Sequence, residues 1–141
     1  MKLKICGMKY GDNLREVAIL QPDYLGFIFY KKSPRYMESS LNPNELMTIP
    51  ERIQKIGVFV NATNEYMLQE SERFGLDGLQ LHGDESPEQC QKLKDAGYFV
   101  IKVLQLGNEN FDFSQLIAYE AYVDYFLFDT QIGRASCRER V

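Results

Sequence analysis

The sequence predicts an α/β protein, on three observations. Six short apolar runs recur along the chain at 3–6, 24–29, 56–61, 78–82, 99–104 and 122–129. Their C-terminal ends lie 21 to 31 residues apart, about one strand-plus-helix unit each. Between them lie segments with helical spacing and helix-end signals, and no run is set up to reverse into a hairpin. Continuous apolar runs suit strands covered on both faces, as in parallel sheets. An open doubly wound sheet and a (β/α)₈ barrel both satisfy this spacing.

The helices follow in order. The first, around 12–20, puts Leu14, Val17 and Ala18 on one side. A weaker one is expected over 42–53, disturbed by Pro50. "TNEYMLQESERFG" has Thr63 to cap and Gly75 to stop it. "SPEQCQKLKDAG" is the clearest: Ser86 caps, Pro87 suits the first turn, Gln89 completes a capping box and Gly97 ends the helix. Its Cys90, Leu93 and Ala96 are expected to face the sheet. A last weak helix is expected over 114–121.

Composition narrows the function. With 45% hydrophobic and 26% charged residues, the 141-residue chain reads as one soluble globular domain. A net charge of −4 argues against a nucleic-acid partner. No apolar stretch approaches the ~20 residues of a membrane span, and "MKLKICG" enters a strand at once, so no membrane partner or signal peptide is expected and the cytoplasm is the default. Cys6, Cys90 and Cys137 are too few and too scattered for a disulfide framework or a zinc site, so no metal is expected.

In either fold the site lies beyond the strand C-termini. Those ends carry Cys6, then "YKKSPRY" with Arg35, Asn61, Gln80 with His82, and Asp129. Each residue type also fits a plainer role. Cys6 can be a small buried hydrophobe, Asp129 a cap, Arg35 a solvated turn charge and His82 a loop residue bonded to backbone.

Taken in order, "KICG", "GFIFYKKSPRY", "IGVFVN", "GLQLHGDE" and "YFLFDT" resemble the successive strand-end motifs of the phosphoribosylanthranilate isomerases, from Lys4 to about Thr130. The resemblance implies a (β/α)₈ TIM barrel, here with about six of its eight units. It implies an isomerase of tryptophan biosynthesis, at the third step from chorismate. The substrate would be phosphorylated N-(5-phosphoribosyl)anthranilate, turned by an Amadori rearrangement into 1-(2-carboxyphenylamino)-1-deoxyribulose 5-phosphate without cofactor or metal. Carried over residue by residue, Cys6 is the general base and Asp129 the general acid. Arg35 would hold the anthranilate carboxylate, while Gln80 and His82 would line the pocket. Such chemistry at neutral pH favours a lowered thiol pKa and a raised carboxyl pKa; Lys4 shares the strand parity of Cys6 and would supply a cation on its side. The resemblance further implies that units seven and eight hold the phosphate, and that the whole protein is a monomer or homodimer.

The two ends of "YFLFDTQIGRASCRERV" do not match. Residues 132–141 carry three Arg and one Glu against a net charge of −6 for the rest, with no hydrophobic period. They read as the translation of a sequencing-library adapter, giving an isomerase domain over 1–131 and a non-native tail over 132–141. A barrel lacking two units is expected to be poorly soluble and nearly inactive. Two other readings stay open on residues alone: another phosphate-binding barrel enzyme, and a non-catalytic or non-folding fragment.

Overall fold

Every strand hydrogen-bonds to the strand before it in sequence, and all pairs are parallel. The structure, a computed structural model, describes residues 1–107 and 111–130. The strands are β1 (Lys4–Cys6), β2 (Tyr24–Ile28), β3 (Gln54–Phe59), β4 (Gly78–Leu81), β5 (Phe99–Leu106) and β6 (Tyr125–Thr130). Between them run α1 (Gly11–Ile19), α2 (Pro43–Met47), α3 (Asn64–Phe74), α4 (Pro87–Asp95) and α5 (Ser114–Tyr119), the last followed by a 3₁₀ turn over Glu120–Tyr122. The order 1-2-3-4-5-6 has no switch point, which a doubly wound sheet requires. Crossovers of one hand then place every helix on the same face. The result is a curled arc of barrel, not an open two-faced sheet.

Register assigns the faces. Paired residues in a parallel sheet share a face, so the row Cys6, Gly26, Ile56, Gly78, Phe99 looks one way, as does Val58, Gln80, Ile101, Tyr125. This concave face packs Tyr24, Ile56 and Ile101 with Phe99 and Leu127. The opposite set, including Leu25, Phe27, Phe59, Leu79, Leu81 and Val100, joins Leu14, Leu46, Met67, Phe74 and Leu93 from the helices in the main core. Leu25, Phe27, Phe59, Leu79 and Leu81 are fully buried there. At about 1.5–3 kcal/mol per buried side chain, these five dominate the sheet–helix interface.

The helix ends follow their sequence signals. Thr63 accepts from the Tyr66 amide and Gly75 ends α3 at φ 62°; Ser86 and Gln89 form the expected capping box on α4, with Gly97 at φ 93° beyond it. Three expectations need correction. The helix expected over 42–53 stops at Met47, because Pro50 has no amide to give the Leu46 carbonyl; Ile49 bonds that carbonyl instead. That short α2 nevertheless has its own capping box, from Asn42 and Glu45. On α4, Cys90 and Leu93 are buried but Ala96 is exposed at the helix end. The 122–129 run begins as a 3₁₀ turn, so β6 starts at Tyr125. The tail over 132–141 and the boundary at 131 lie outside the described residues.

Among the described residues, nothing pairs with the outer rims of β1 and β6. Phe128, on the convex face of β6, is 46% exposed. A charge there should blunt edge-to-edge association. In sedimentation velocity, Phe128→Lys should shift the purified chain toward smaller species; an unchanged distribution would reject the edge as the cause of association.

Candidate active site

Cys6 stands at the C-terminal end of β1, on the concave face. Its Sγ lies over Gly26 so closely that a Cβ on that glycine would come within 2.6 Å of the sulfur. Glycine at 26 is therefore what lets the thiol lie across the neighbouring strand. The chain then turns at Gly7, φ +87°, where the Arg35 side chain fills the space a Cβ would need, at 2.8 Å. Both the Gly7 and Met8 amides donate to the Gly26 carbonyl. Arg35 thus lies against the glycine that follows Cys6, although it is 29 positions from that cysteine in sequence.

Arg35 sits in the long β2–α2 loop, which is held from several sides. Its amide donates to Ser33 Oγ at 3.2 Å, and Lys9 Nζ donates to the Pro34 carbonyl. Tyr36 bridges to Ile28 and donates its hydroxyl hydrogen to Glu38. Glu38 in turn meets Arg73 of α3 at 3.4 Å, and the same Arg73 contacts the buried Glu70 at 3.2 Å. Burial, followed by hydrogen bonding to Glu70 and its charge, raises the Glu38 carboxyl above the ordinary range, against the pull of Arg73 and Lys31.

At the other end of the arc, His82 Nε2 and Asp129 Oδ2 are 3.4 Å apart, with side-chain exposures of 27% and 15%. Their strands are separated by β5, about 9.6 Å of sheet at the usual spacing. The two side chains meet because the sheet curls toward that face. Gln80, two residues before His82, is 5% exposed, and its Oε1 has no hydrogen-bond partner among the described residues.

The register relates the two ends of the arc. In an eight-stranded barrel of shear 8, a level position climbs about one residue per strand relative to the hydrogen-bonded row. The row of Cys6 meets β5 at Phe99 and would meet β6 at Val123. Five strand steps carry that level to about Phe128 on β6, and three steps carry it to about Leu81 on β4. In that barrel geometry the ends of β1, β4 and β6 fall near one level, and Cys6, His82 and Asp129 stand at those ends on the concave face.

Such a rim, with a thiol and guanidinium on one wall and a carboxyl–imidazole pair on the other, can pass protons to and from a small anion. A family model described as N-(5'phosphoribosyl)anthranilate (PRA) isomerase matches residues 3–136. The chain belongs to this isomerase family. It is 45% identical over 133 residues to the N-(5'-phosphoribosyl)anthranilate isomerase of Parabacteroides distasonis, covering 93% of this chain and 59% of that relative. The phosphoribosylanthranilate isomerase of Thermotoga maritima superposes with a TM-score of 0.73 at 29% identity, over 95% of this chain and 63% of that one. A third, at TM-score 0.69 and 26% identity over 98% and 79%, is an isomerase in complex with reduced 1-(o-carboxyphenylamino)-1-deoxyribulose 5-phosphate. The chain spans about three fifths of the length of the curated relatives it matches.

In this family member, then, Cys6 ends β1 with Arg35 against the next glycine, His82 meets Asp129, and Gln80 lies two residues before His82 on the same face of β4. Among the described residues no helix is long and apolar enough to cross a membrane. Sequence reasoning missed a second polar feature on the convex side of the same rim. Lys102, 2% exposed, and Glu85, 1% exposed, form an ion pair at 3.2 Å. The signal was present: a lysine inside "FVIKVL", at a register position facing the helices, must be buried and so needs a partner.

Two outcomes follow. Burial drives the Cys90 thiol up to about 11, with Lys102 opposing and Glu85 adding to the shift. At pH 8 only about one Cys90 in a thousand is then thiolate. Iodoacetamide, read peptide by peptide, should modify the partly exposed Cys6 long before Cys90, which should react only on unfolding; equal rates would contradict its burial. For Glu38, a raised folded pKa means stability that is complete below the unfolded value and lost as pH rises through the folded one. The melting temperature of the wild type relative to Glu38→Gln should accordingly fall with pH from just above the ordinary glutamate range, then level off. A difference constant from pH 4 to 8 would rule the shift out.

Proposed function

We propose that the whole protein to which this chain corresponds isomerises N-(5-phosphoribosyl)anthranilate to 1-(2-carboxyphenylamino)-1-deoxyribulose 5-phosphate, in tryptophan biosynthesis, with Cys6 as general base and Asp129 as general acid. The observation that carries the reading is that Cys6, at the end of β1, and Asp129, near the end of β6, look onto the same concave face. Asp129 protonates the ribose ring oxygen, the C1–O bond breaks and a protonated Schiff base forms. The Cys6 thiolate removes the C2 proton, giving an enolamine that tautomerises to the ketone. Lys4, two residues before Cys6 on the same strand face, puts a cation on the thiol's side.

Arg35 binds the anthranilate carboxylate through its planar fork of donors. Its place against Gly7 sets the aromatic ring beside the thiol. His82, at 3.4 Å from Asp129, and Gln80, whose Oε1 has no hydrogen-bond partner among the described residues, contact the ribose portion. The phosphate is held by backbone amides of barrel units beyond the six described here, and binding at that remote group lowers the barrier at the reacting carbon. No metal or organic cofactor takes part. The reading makes the whole protein cytoplasmic, as a monomer or homodimer.

Turnover is followed by the loss of substrate fluorescence. The chain alone should show almost none. Joined in frame at Asp129 to the C-terminal part of the Parabacteroides distasonis relative, it should turn over. Cys6→Ser and Asp129→Asn should each lower kcat of that joined protein about 10²-fold or more, while Arg35→Met should raise KM more than it lowers kcat. A joined protein that folds without turnover, or whose Cys6→Ser variant retains full kcat, would reject the assignment.

A further inference from the structure

The Lys102–Glu85 pair lies behind the sheet, between β5 and the helices, and its groups reach the main chain on both sides of His82. Lys102 Nζ donates to the Leu81 carbonyl at 3.4 Å and to the Gly83 carbonyl at 2.6 Å. Glu85 Oε2 accepts from the Gly83 amide at 2.9 Å. The His82 amide itself goes to the Phe59 carbonyl. The backbone that bears the imidazole is thus fixed before and after the residue by two charges that never enter the hollow.

The same pair binds the neighbouring loops together. Glu85 Oε1 accepts from the Asn61 amide at 2.8 Å, and Asn61 Oδ1 accepts from the Asp84 amide. The Glu85 carbonyl accepts from the Tyr119 hydroxyl at 2.7 Å, so the segment that leads into β6 is tied to the loop that follows β4. One end of this network flanks His82, and the other reaches Tyr119, in the helix that precedes the strand carrying Asp129.

A buried ion pair is poor evidence of stability, because desolvation offsets most of its attraction. What it can do is specify a backbone geometry that apolar packing would leave loose. We propose that Lys102 and Glu85 are positioning residues of the site: they set the His82 imidazole against Asp129 while touching neither substrate nor reacting atoms. The inference rests on reading His82 and Asp129 as partners in the reacting hollow, but its test requires no turnover, so the two can fail separately.

The chain contains one histidine, so carbethoxylation by diethyl pyrocarbonate, read by mass spectrometry of the peptide bearing His82, is a single-site measurement possible at micromolar protein. Its rate is compared in the wild type, Asp129→Asn, Lys102→Met and the double variant, each far below its melting temperature. In the wild-type background Asp129→Asn should change the rate about threefold or more, and in the Lys102→Met background by less than about half that factor, a coupling in the sense of a double-mutant cycle. Glu85→Gln should weaken the coupling in the same way. A purely structural role lowers melting temperature yet leaves the coupling intact; equal factors in both backgrounds, in proteins that melt cooperatively, overturn the proposal. If Lys102→Met does not fold, the volume-matched Lys102→Met/Glu85→Leu variant carries the same comparison. Should that variant also fail to melt cooperatively, the pair is a folding requirement and the positioning role is rejected.

Discussion

Parallel pairing of each strand with its predecessor is the constraint on which the rest depends. It commits every crossover helix to one face, so that the other face becomes the lining of a hollow. It fixes which side chains look inward, two residues at a time. It also forces the C-terminal strand ends to one rim, where the polar residues of separate βα units meet. A switch in strand order would have put helices over both faces and left a crevice at one point of the sheet. In this chain the curl instead brings β4 and β6 close enough for His82 to reach Asp129 across an intervening strand.

The glycines of the site show how backbone geometry limits what the side chains can do. The sulfur of Cys6 lies too near Gly26 to admit a Cβ there, and Arg35 occupies the space a Cβ on Gly7 would need. Neither glycine supplies chemistry. Each removes a steric obstacle, and together they allow a thiol and a guanidinium to share one wall. The polar face is supported from behind in the opposite manner, with charges where apolar residues are the rule. Lys102 and Glu85 spend the buried side of the sheet on hydrogen bonds to main-chain atoms, and the loops after β3 and β4 take their shape from those bonds.

The proposed reading gives these features a common purpose. The chain matches about three fifths of its curated relatives' length, and that portion holds the residues to which proton transfer and carboxylate binding are assigned. Phosphate recognition belongs, on this reading, to the units that follow.

The existence and spacing of the strands, the residues at their ends and the caps of α3 and α4 were legible in the sequence, because each depends on local pattern: apolar runs, a Ser-Pro-x-Gln start, a glycine stop; the spacing left the order of strands in the sheet open. The helix expected over 42–53 was misjudged in length because a single proline outweighed a favourable period. Faces and partners were not legible. Which residue meets which depends on register and curl, properties of strands far apart in the chain, so the contacts of Arg35 with Gly7 and of His82 with Asp129 appear only in three dimensions. Lys102 is the sharpest case: its burial could be inferred from an apolar run, but its partner, 17 residues earlier on a loop, was decided by the tertiary structure. Sequence determined what chemistry stands at the rim; the curl of the sheet decided which groups face one another, because only folding converts separation along the chain into proximity in space.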